Sequence, residues 1–248
     1  MGLKIRIIPR LDIKGENVIK GIRLEGLRVV GKPDELVRKY DAWADEILFI
    51  DAVASLYGRN ALVPVIERAA EHAFVPMTVG GGIRTLDDIR MLLLAGADKV
   101  AVNTAAIKDP SFITAVAEKF GSQALVVNIE AKRRGQHWEA YTENGRQPSG
   151  KDAVAWAAEA AALGAGEILI TSIDREGTRK GFDLPLIKAV HGHVAVPVVA
   201  CGGGGSIEHV REAAALGVAG VACASIFHYG LVSDLKPKLA EAGFPIRL

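Results

Sequence analysis

Short apolar runs alternate along the chain with longer segments in which apolar residues recur every three or four positions. Short uninterrupted runs are typical of strands that are buried on both faces of a parallel sheet. The predicted strands are Ile5–Leu11, Ile47–Ile50, Val75–Val79, Lys99–Val102, Ala124–Ile129, Ile168–Thr171, Val196–Cys201 and Gly220–Ala224. The helical period predicts helices between them, among them Pro33–Ala44, Ala61–His72, Leu86–Ala95, Ala153–Leu163 and Ile207–Leu216.

The chain also repeats itself at one constant offset. Gly81 aligns with Gly202 and Glu46 with Glu167, an offset of 121 positions in both cases and close to half of the 248 residues. Two similar halves of four strand–helix units each, with no linker rich in Pro, Gly or Ser between them, predict a single closed (β/α)₈ TIM barrel. The predicted half-barrels are approximately residues 1–122 and 123–248.

Composition limits the class of protein without changing the predicted fold. The chain has 30 Lys plus Arg against 29 Asp plus Glu, so it lacks the basic excess of most nucleic-acid-binding proteins. Its apolar stretches are too short or too interrupted by charge to cross a bilayer, and its first residues do not resemble a signal peptide. Cys201 and Cys223 lie in predicted strands and are expected to be reduced core thiols. We therefore expect a cytoplasmic protein with no nucleic-acid or membrane partner, no metal and no cofactor.

Glycines are concentrated where the third and seventh predicted strands end. Glycine lets backbone N–H groups approach a phosphate closely, and the fourth and eighth strands lead into helix starts, which also favour anions. The duplicated pattern predicts two phosphate sites across one barrel mouth, and hence a small substrate with a phosphate at each end. The alternative is a pair of tight turns that serve only chain reversal. The predicted phosphate-binding residues are Gly81, Gly82, Asn103, Thr104, Gly202, Gly203, Ala224 and Ser225.

Acidic residues follow directly after two of the buried strands. Asp12 ends the first strand and Glu130 ends the fifth, so both are expected at the barrel mouth, opposite each other. A carboxylate beside an apolar run is costly unless it is solvated or used. The two residues are predicted as a general acid and a general base; the alternative is that they only cap loops.

Three further residues are predicted to contact the substrate. Glu176 and Gly177 follow the sixth strand and extend the polar lining of the mouth. Lys20 lies in the segment Lys14–Gly31, which is predicted to be a long loop, and could fold over the substrate as a positive clamp. A lone lysine is more often a plain surface residue, and that alternative stays open.

Motifs along nearly the whole chain carry a resemblance to a known family. They are Arg6-Ile7-Ile8-Pro9, Leu11-Asp12, Val79-Gly80-Gly81-Gly82-Ile83, Gly96-Ala97-Asp98-Lys99-Val100, Asn103-Thr104-Ala105-Ala106, Phe120-Gly121-Ser122-Gln123-Ala124, Gly164-Ala165-Gly166-Glu167-Ile168-Leu169, Thr171-Ser172-Ile173-Asp174-Arg175, Gly177-Thr178 and Ser225-Ile226-Phe227-His228. Together they resemble the HisF family, the ammonia-using cyclase subunit of imidazole glycerol phosphate synthase in histidine biosynthesis.

The resemblance implies a reaction and a partner. A glutaminase subunit of the HisH type would dock at the N-terminal face of the barrel and release ammonia. The ammonia would pass through the barrel to an aminoimidazole carboxamide ribotide that carries a phosphoribulosyl-formimino arm. The products would be imidazole glycerol phosphate and aminoimidazole carboxamide ribotide. The family's gate of alternating charges at the barrel bottom corresponds to Arg6, Glu46, Lys99 and Glu167.

The sequence departs from the family pattern at four places. Glu130 and Glu176 stand where the family has aspartates, and the longer side chain moves the carboxylate by roughly 1.5 Å. Arg10 replaces a cysteine and is expected close to the end of the first strand, on the face next to that of Asp12. The second strand also runs on into an unusual segment, Val53–Asn60.

These departures leave three hypotheses open. The first is the cyclase described above. The second is a HisF-like paralogue that channels ammonia to a sugar amidotransferase in surface-polysaccharide biosynthesis, with little or no cyclase activity. The third is a single-chain sugar-phosphate isomerase of the related half-barrel type, which the charge gate disfavours because that enzyme handles no ammonia.

Overall fold

The computed structural model describes residues 4–53, 62–229 and 234–247. Eight parallel strands close into a barrel, because each pairs with the next and the last pairs with the first. In order around the barrel they are β1 (Arg6–Lys14), β4 (Ile47–Asp51), β5 (Met77–Gly80), β6 (Lys99–Val102), β7 (Leu125–Arg134), β10 (Glu167–Ser172), β11 (Val198–Cys201) and β12 (Gly220–Cys223). The predicted (β/α)₈ TIM barrel is confirmed.

Helices follow the strands and cover the outside of the barrel. They are α1 (Pro33–Asp41), α2 (Val63–Ala70), α3 (Leu86–Leu94), α4 (Thr104–Lys108), α5 (Ser111–Phe120), α6 (Ala153–Ala162), α7 (Leu184–His191), α8 (Ile207–Ala214), α9 (Ser225–Tyr229) and α10 (Leu235–Glu241). Side-chain caps fix several starts: Thr85 forms a capping box with Asp88, and Ser206 accepts from the His209 N–H. Among the described residues, no helix is long and apolar enough to span a membrane.

The strands have two buried faces, as their apolar runs predict. Alternate residues pack outward against the helices and form the larger core cluster, with Ile7 and Leu11 as examples on β1. The other face fills the barrel itself with a smaller cluster. That inner cluster consists of Ile8, Leu48, Ile50, Ala101, Val126, Leu169, Val199, Cys201 and Ala222. Both cysteines are free and buried.

The prediction of a long loop at Lys14–Gly31 is wrong. This segment folds into an antiparallel hairpin of β2 (Asn17–Ile22) and β3 (Glu25–Gly31) that continues from β1. A second hairpin, β8 (His137–Thr142) and β9 (Gln147–Asp152), continues from β7 in the same way. These extensions explain why β1 and β7 run several residues beyond their predicted ends.

The two hairpins meet over the barrel mouth. Leu24, at the tip of the first hairpin, packs against Tyr141 of the second and against Ile173, which follows β10. Leu24 has a positive φ of 65°, which non-glycine residues rarely adopt. The mouth is therefore partly covered, on the side where β1 and β10 end.

Candidate active site

Asp12 and Glu130 lie on opposite sides of the barrel mouth, because β1 and β7 are four strands apart in a ring of eight. Glu130 lines a cavity of about 350 Å³ that opens at the mouth. Asp12 lies beneath the first hairpin, beside a void of about 10 Å³. The mouth is therefore more open on the Glu130 side than on the Asp12 side.

Two cations hold the Asp12 carboxylate. Arg10 Nε donates to Oδ1 at 2.8 Å, and Lys20 Nζ lies 3.7 Å from Oδ2. Lys20 also bonds to Glu176, and all four side chains are buried. Burial alone would raise the pKa of Asp12, but Arg10 and then Lys20 outweigh it and leave this pKa below its ordinary value. Asp12 is therefore a carboxylate at neutral pH.

The predicted orientation of Arg10 is wrong. Residues two apart on a strand share a face, so Arg10 points into the barrel together with Asp12. Its guanidinium reaches across the interior, with Nη1 3.3 Å from Cys201 Sγ and 3.5 Å from Thr171 Oγ1. Only 1% of Arg10 is exposed, so this side chain belongs to the barrel interior directly beneath the mouth.

The hydrogen-bond partners of Glu130 are neutral groups instead. Asn103 Nδ2 donates to its Oε2 at 3.1 Å, and the Gly145 backbone supplies a further hydrogen bond. Burial raises the pKa of Glu130 to about 7, against smaller opposing effects of Arg10 and these hydrogen bonds. A carboxyl group that titrates near neutrality can both give and take a proton under physiological conditions.

Lys20 is a buried strand residue and not a surface lysine. It lies on β2, and the first hairpin that carries it docks on the segment after β10, where the Arg23 N–H donates to the Glu176 carbonyl at 2.8 Å. Gly177 lies directly under the hairpin, because a Cβ there would collide with the backbone of Gly21. Lys20, Glu176 and Gly177 are thus brought together beside Asp12.

The first glycine loop opens to the cavity. Gly81, Gly82, Asn103 and Thr104 all line it. The two glycines have positive φ values of 101° and 72°, so the turn after β5 requires glycine. Thr104 begins α4 and its hydroxyl accepts from the Glu143 N–H at 3.0 Å, which ties the second hairpin to this rim.

We expect Gly81→Ala to destabilise the protein by about 2 to 4 kcal/mol. A Cβ at this position would lie 2.5 Å from the Asp51 carbonyl oxygen and 2.8 Å from its nitrogen, at a φ that is strained for alanine. Gly135→Ala is the matched control, since Gly135 also has positive φ but nothing within 4 Å. That control should cost about 1 kcal/mol. Urea unfolding of both variants measures the difference, and equal losses would contradict the close approach at Gly81.

The second glycine loop is covered by neighbouring backbone. The Gly181 N–H donates to the Gly203 carbonyl at 2.9 Å, and a Cβ on Gly205 would meet Arg179. Gly202 lies against the backbone of Ser172. The residues that follow β12, Ala224 and Ser225, are buried on this side of the mouth. The repeat thus gives two similar loops in sequence. Within the described residues, the first loop lines the cavity beside Glu130 and the second does not.

The four predicted gate residues form a closed ring of ion pairs at the other end of the barrel. Arg6 contacts Glu46 at 2.5 Å and Glu167 at 2.6 Å, and Lys99 contacts the same two carboxylates at 2.9 and 3.1 Å. Thr78 Oγ1 donates to Glu46 at 2.5 Å. Above the ring is a void of about 10 Å³ between the ring carboxylates and apolar side chains of the barrel interior.

Two site residues were missed by the sequence reasoning. Asn128 lines the cavity with Glu130, and the two-residue period of the strand could have found it. His228 bonds through Nδ1 to Tyr40 at 2.8 Å, and burial lowers its pKa to about 4 while the charge of Asp12 acts in the opposite direction. The unusual segment Val53–Asn60 lies outside the described residues except for Val53.

Comparison with known proteins identifies the family. The family described as "Histidine biosynthesis protein" matches residues 6–233. The imidazole glycerol phosphate synthase subunit HisF of Caulobacter vibrioides is 52% identical over 99% of this chain and 97% of its own length. The same subunit from Legionella pneumophila is 57% identical over 82% and 97%, and that from Myxococcus xanthus 51% identical over 98% and 97%. The chain belongs to the HisF family of histidine biosynthesis proteins.

Proposed function

We propose that this protein is the ammonia-using cyclase subunit of an imidazole glycerol phosphate synthase. It would convert the phosphoribulosyl-formimino form of aminoimidazole carboxamide ribotide, together with ammonia, to imidazole glycerol phosphate and aminoimidazole carboxamide ribotide. The observation that carries the proposal is the pair of buried carboxyl groups, Asp12 and Glu130, on opposite strands at the mouth of a HisF-family barrel.

Asp12 and Glu130 are the proposed catalytic groups. The reaction closes a ring and breaks a C–N bond, so protons must leave the incoming nitrogen and reach the departing group. One carboxyl group near neutrality and one permanent carboxylate supply a proton carrier and a fixed negative charge on the two sides of the substrate. Burial strengthens both effects, because water does not screen them there.

The two glycine loops are the proposed holders of the two substrate phosphates. Gly81, Gly82 and Thr104 already line an open cavity, which supports the first of these sites. At the second site, the segment after β10 holds the loop through the hydrogen bond from the Gly181 N–H to the Gly203 carbonyl. Lys20 would hold the substrate on the same side, in exchange for its present contact with Glu176.

Ammonia would enter from a glutaminase subunit of the HisH type at the N-terminal face. The ring of Arg6, Glu46, Lys99 and Glu167 lies at that face and is polar enough for ammonia to cross. Two large apolar side chains are exposed at the same end of the barrel, Phe74 at 88% just before β5 and Leu94 at 72% at the end of α3. Such residues favour a protein partner over bulk water.

We also propose a cytoplasmic location, which the two free thiols support.

A second candidate function is ammonia delivery to a sugar amidotransferase, with little or no ring closure in this barrel. Arg10 and Lys20 together neutralise the Asp12 carboxylate, and the segment after β10 covers the second glycine loop. Both features favour a barrel that conducts ammonia without binding a long substrate. We rank this function second, because the first loop and its cavity are open.

One assay separates the two functions. The purified protein is given the formimino substrate and excess ammonium at alkaline pH, and imidazole glycerol phosphate is measured. The cyclase predicts turnover that depends on Glu130 and is independent of any glutaminase. Ammonia delivery predicts no product with the native protein or with Glu130→Asp, although a glutaminase partner would still bind at the N-terminal face.

A further inference from the structure

We propose that Arg10 is a positioning residue that gives the two carboxyl groups different protonation states. By holding Asp12 as a permanent carboxylate, Arg10 leaves Glu130 as the only one of the pair that carries a proton. This inference rests on the proposed function, because it assigns roles within the same site. It assigns a role to a residue that belongs neither to the glycine loops nor to the carboxyl pair.

The contacts of the two carboxyl groups are unequal. Asp12 has a guanidinium on one oxygen at 2.8 Å and an ammonium 3.7 Å from the other. Glu130 accepts from the neutral amide of Asn103 at 3.1 Å and from the Gly145 backbone. A charged donor favours the ionised form of a carboxyl group much more than a neutral donor does. Geometry alone therefore fixes Asp12 as the anion of the pair.

The position of Arg10 is costly, which argues against a purely structural role. Its Nη2 is buried, and no hydrogen-bond acceptor reaches it within the part of the chain that the structure describes. A buried donor without a partner costs stability, and an apolar side chain of similar size would avoid that cost. The guanidinium sits in the barrel interior, contacts Cys201 and Thr171 only at 3.3 and 3.5 Å, and has its shortest contact with Asp12.

The other charged and titratable groups near Asp12 and Glu130 are consistent with an ionised Asp12 and a protonated Glu130. Around Asp12 they are Arg10, Lys20, Glu176, His228 and Glu130. Around Glu130 they are Arg10 and Asp12. His228 is buried and its pKa is lowered to about 4, so it is neutral near pH 7. The Cys201 thiol touches Arg10, but burial raises its pKa above the ordinary value, so it is also neutral. Lys20 also forms an ion pair with Glu176 and lies farther from Asp12 than Arg10 does. Arg10 is therefore the cation closest to the Asp12 carboxylate.

The proton balance of the reaction then involves a single carrier. Glu130 gives its proton to the departing group as the C–N bond breaks. It regains one from the ammonia nitrogen, which gives up its protons as it forms C–N bonds to the keto carbon of the ribulosyl arm and to the formimino carbon. The keto oxygen leaves as water. Asp12 stays ionised throughout and stabilises the positive charge that develops on the attacking nitrogen. No oxidant, reductant or further reactant is needed.

The test measures the protonation of both carboxyl groups directly and needs no substrate. The protein is labelled with ¹³C at the Asp and Glu carboxyl carbons, and Asp12→Asn and Glu130→Gln identify the two signals. In the native protein we expect the Glu130 signal to titrate near pH 7 and the Asp12 signal to titrate below the ordinary range of an aspartate. In Arg10→Met the Asp12 titration should rise by about 1 to 3 pH units. In Arg10→Lys, which keeps a cation, it should stay close to the native one.

An unchanged Asp12 titration in Arg10→Met would overturn the inference, and so would joint titration of the two groups in the native protein. If Arg10→Met does not fold, Arg10→Gln replaces it, because this variant keeps a hydrogen-bond donor without the charge and should raise the Asp12 titration in the same direction. Failure of the proposed function remains distinguishable from failure of this inference. A protein that makes no imidazole glycerol phosphate can still show divided titrations, and an active protein can fail to show them.

Discussion

Glu130→Gln is expected to abolish most of the cyclase activity and to make the protein more stable at alkaline pH. A glutamine keeps the size of the side chain and its hydrogen bond to Asn103, but it cannot carry a proton. Loss of general acid–base catalysis lowers kcat/KM by about 10²- to 10⁴-fold. The measurement is the rate of imidazole glycerol phosphate formation with ammonium as the nitrogen source.

The stability gain follows from the raised pKa of Glu130. Its pKa is about 7 in the folded protein against 4.5 as the ordinary value, so between these pH values the folded state binds more protons than the unfolded state. The free energy of unfolding therefore falls as pH rises from about 4.5 to 7, and stays lower above that range. Removing the group should relieve up to about 3 kcal/mol at pH 8 and almost nothing at pH 4.

Two variants control this experiment. Glu118→Gln, on the exposed surface of α5, removes one carboxylate elsewhere and should leave both activity and stability unchanged. Glu130→Asp keeps a proton carrier and gives the residue of the family pattern, so it should retain cyclase activity and a pH-dependent stability. A Glu130→Gln protein that is no more stable than native at pH 8 would show that Glu130 is not a buried proton carrier.

Glu46→Ala is expected to be the most destabilising single change in the charge ring, at about 3 to 5 kcal/mol. Glu46 contacts both cations of the ring and the Thr78 hydroxyl, and its side chain is only 5% exposed. Its loss leaves Glu167 as the one carboxylate that pairs with Arg6 and Lys99 among the described residues, although these two side chains are only 25% and 15% exposed. Urea unfolding at two salt concentrations measures the effect, which should persist at high salt because the ring is buried.

A surface pair of similar length provides the comparison. Glu208 and Arg211 are paired at 2.6 Å on α8, yet both side chains are more than half exposed. Glu208→Ala should therefore cause little measurable change. If the two variants lost the same stability, the ring would be an ordinary surface network and burial would not explain its strength.

The barrel could be predicted from the sequence because the patterns that indicate its strands are local. Uninterrupted apolar runs mark the eight strands, and their observed bounds differ from the predicted ones by at most two residues where no hairpin follows. The two hairpins were not predicted because their strands mix polar and apolar residues without a clear pattern. Their positions depend on contacts between the two hairpins, which are distant in sequence. Leu24 and Tyr141, which join the hairpin tips, are far apart in the chain.

The positions of the candidate site residues could be predicted from the sequence, but their electrostatics could not. Asp12, Glu130 and the first glycine loop follow from their positions at strand ends. The burial of Lys20 could not be predicted, because it depends on how the first hairpin folds back toward Asp12. Arg10 is different: its spacing of two from Asp12 already places both on one face, and the strand period alone would have shown it.

The ring at the barrel bottom also limits how the two similar halves can combine. Its acids, Glu46 and Glu167, occupy corresponding positions of the repeat, whereas both bases, Arg6 and Lys99, come from the first half. Two copies of the second half would bring two carboxylates together at this point without the arginine and lysine that neutralise them. Two copies of the first half would bring an excess of cations. The two halves are thus complementary in charge at the barrel bottom, where neither supplies the ring alone.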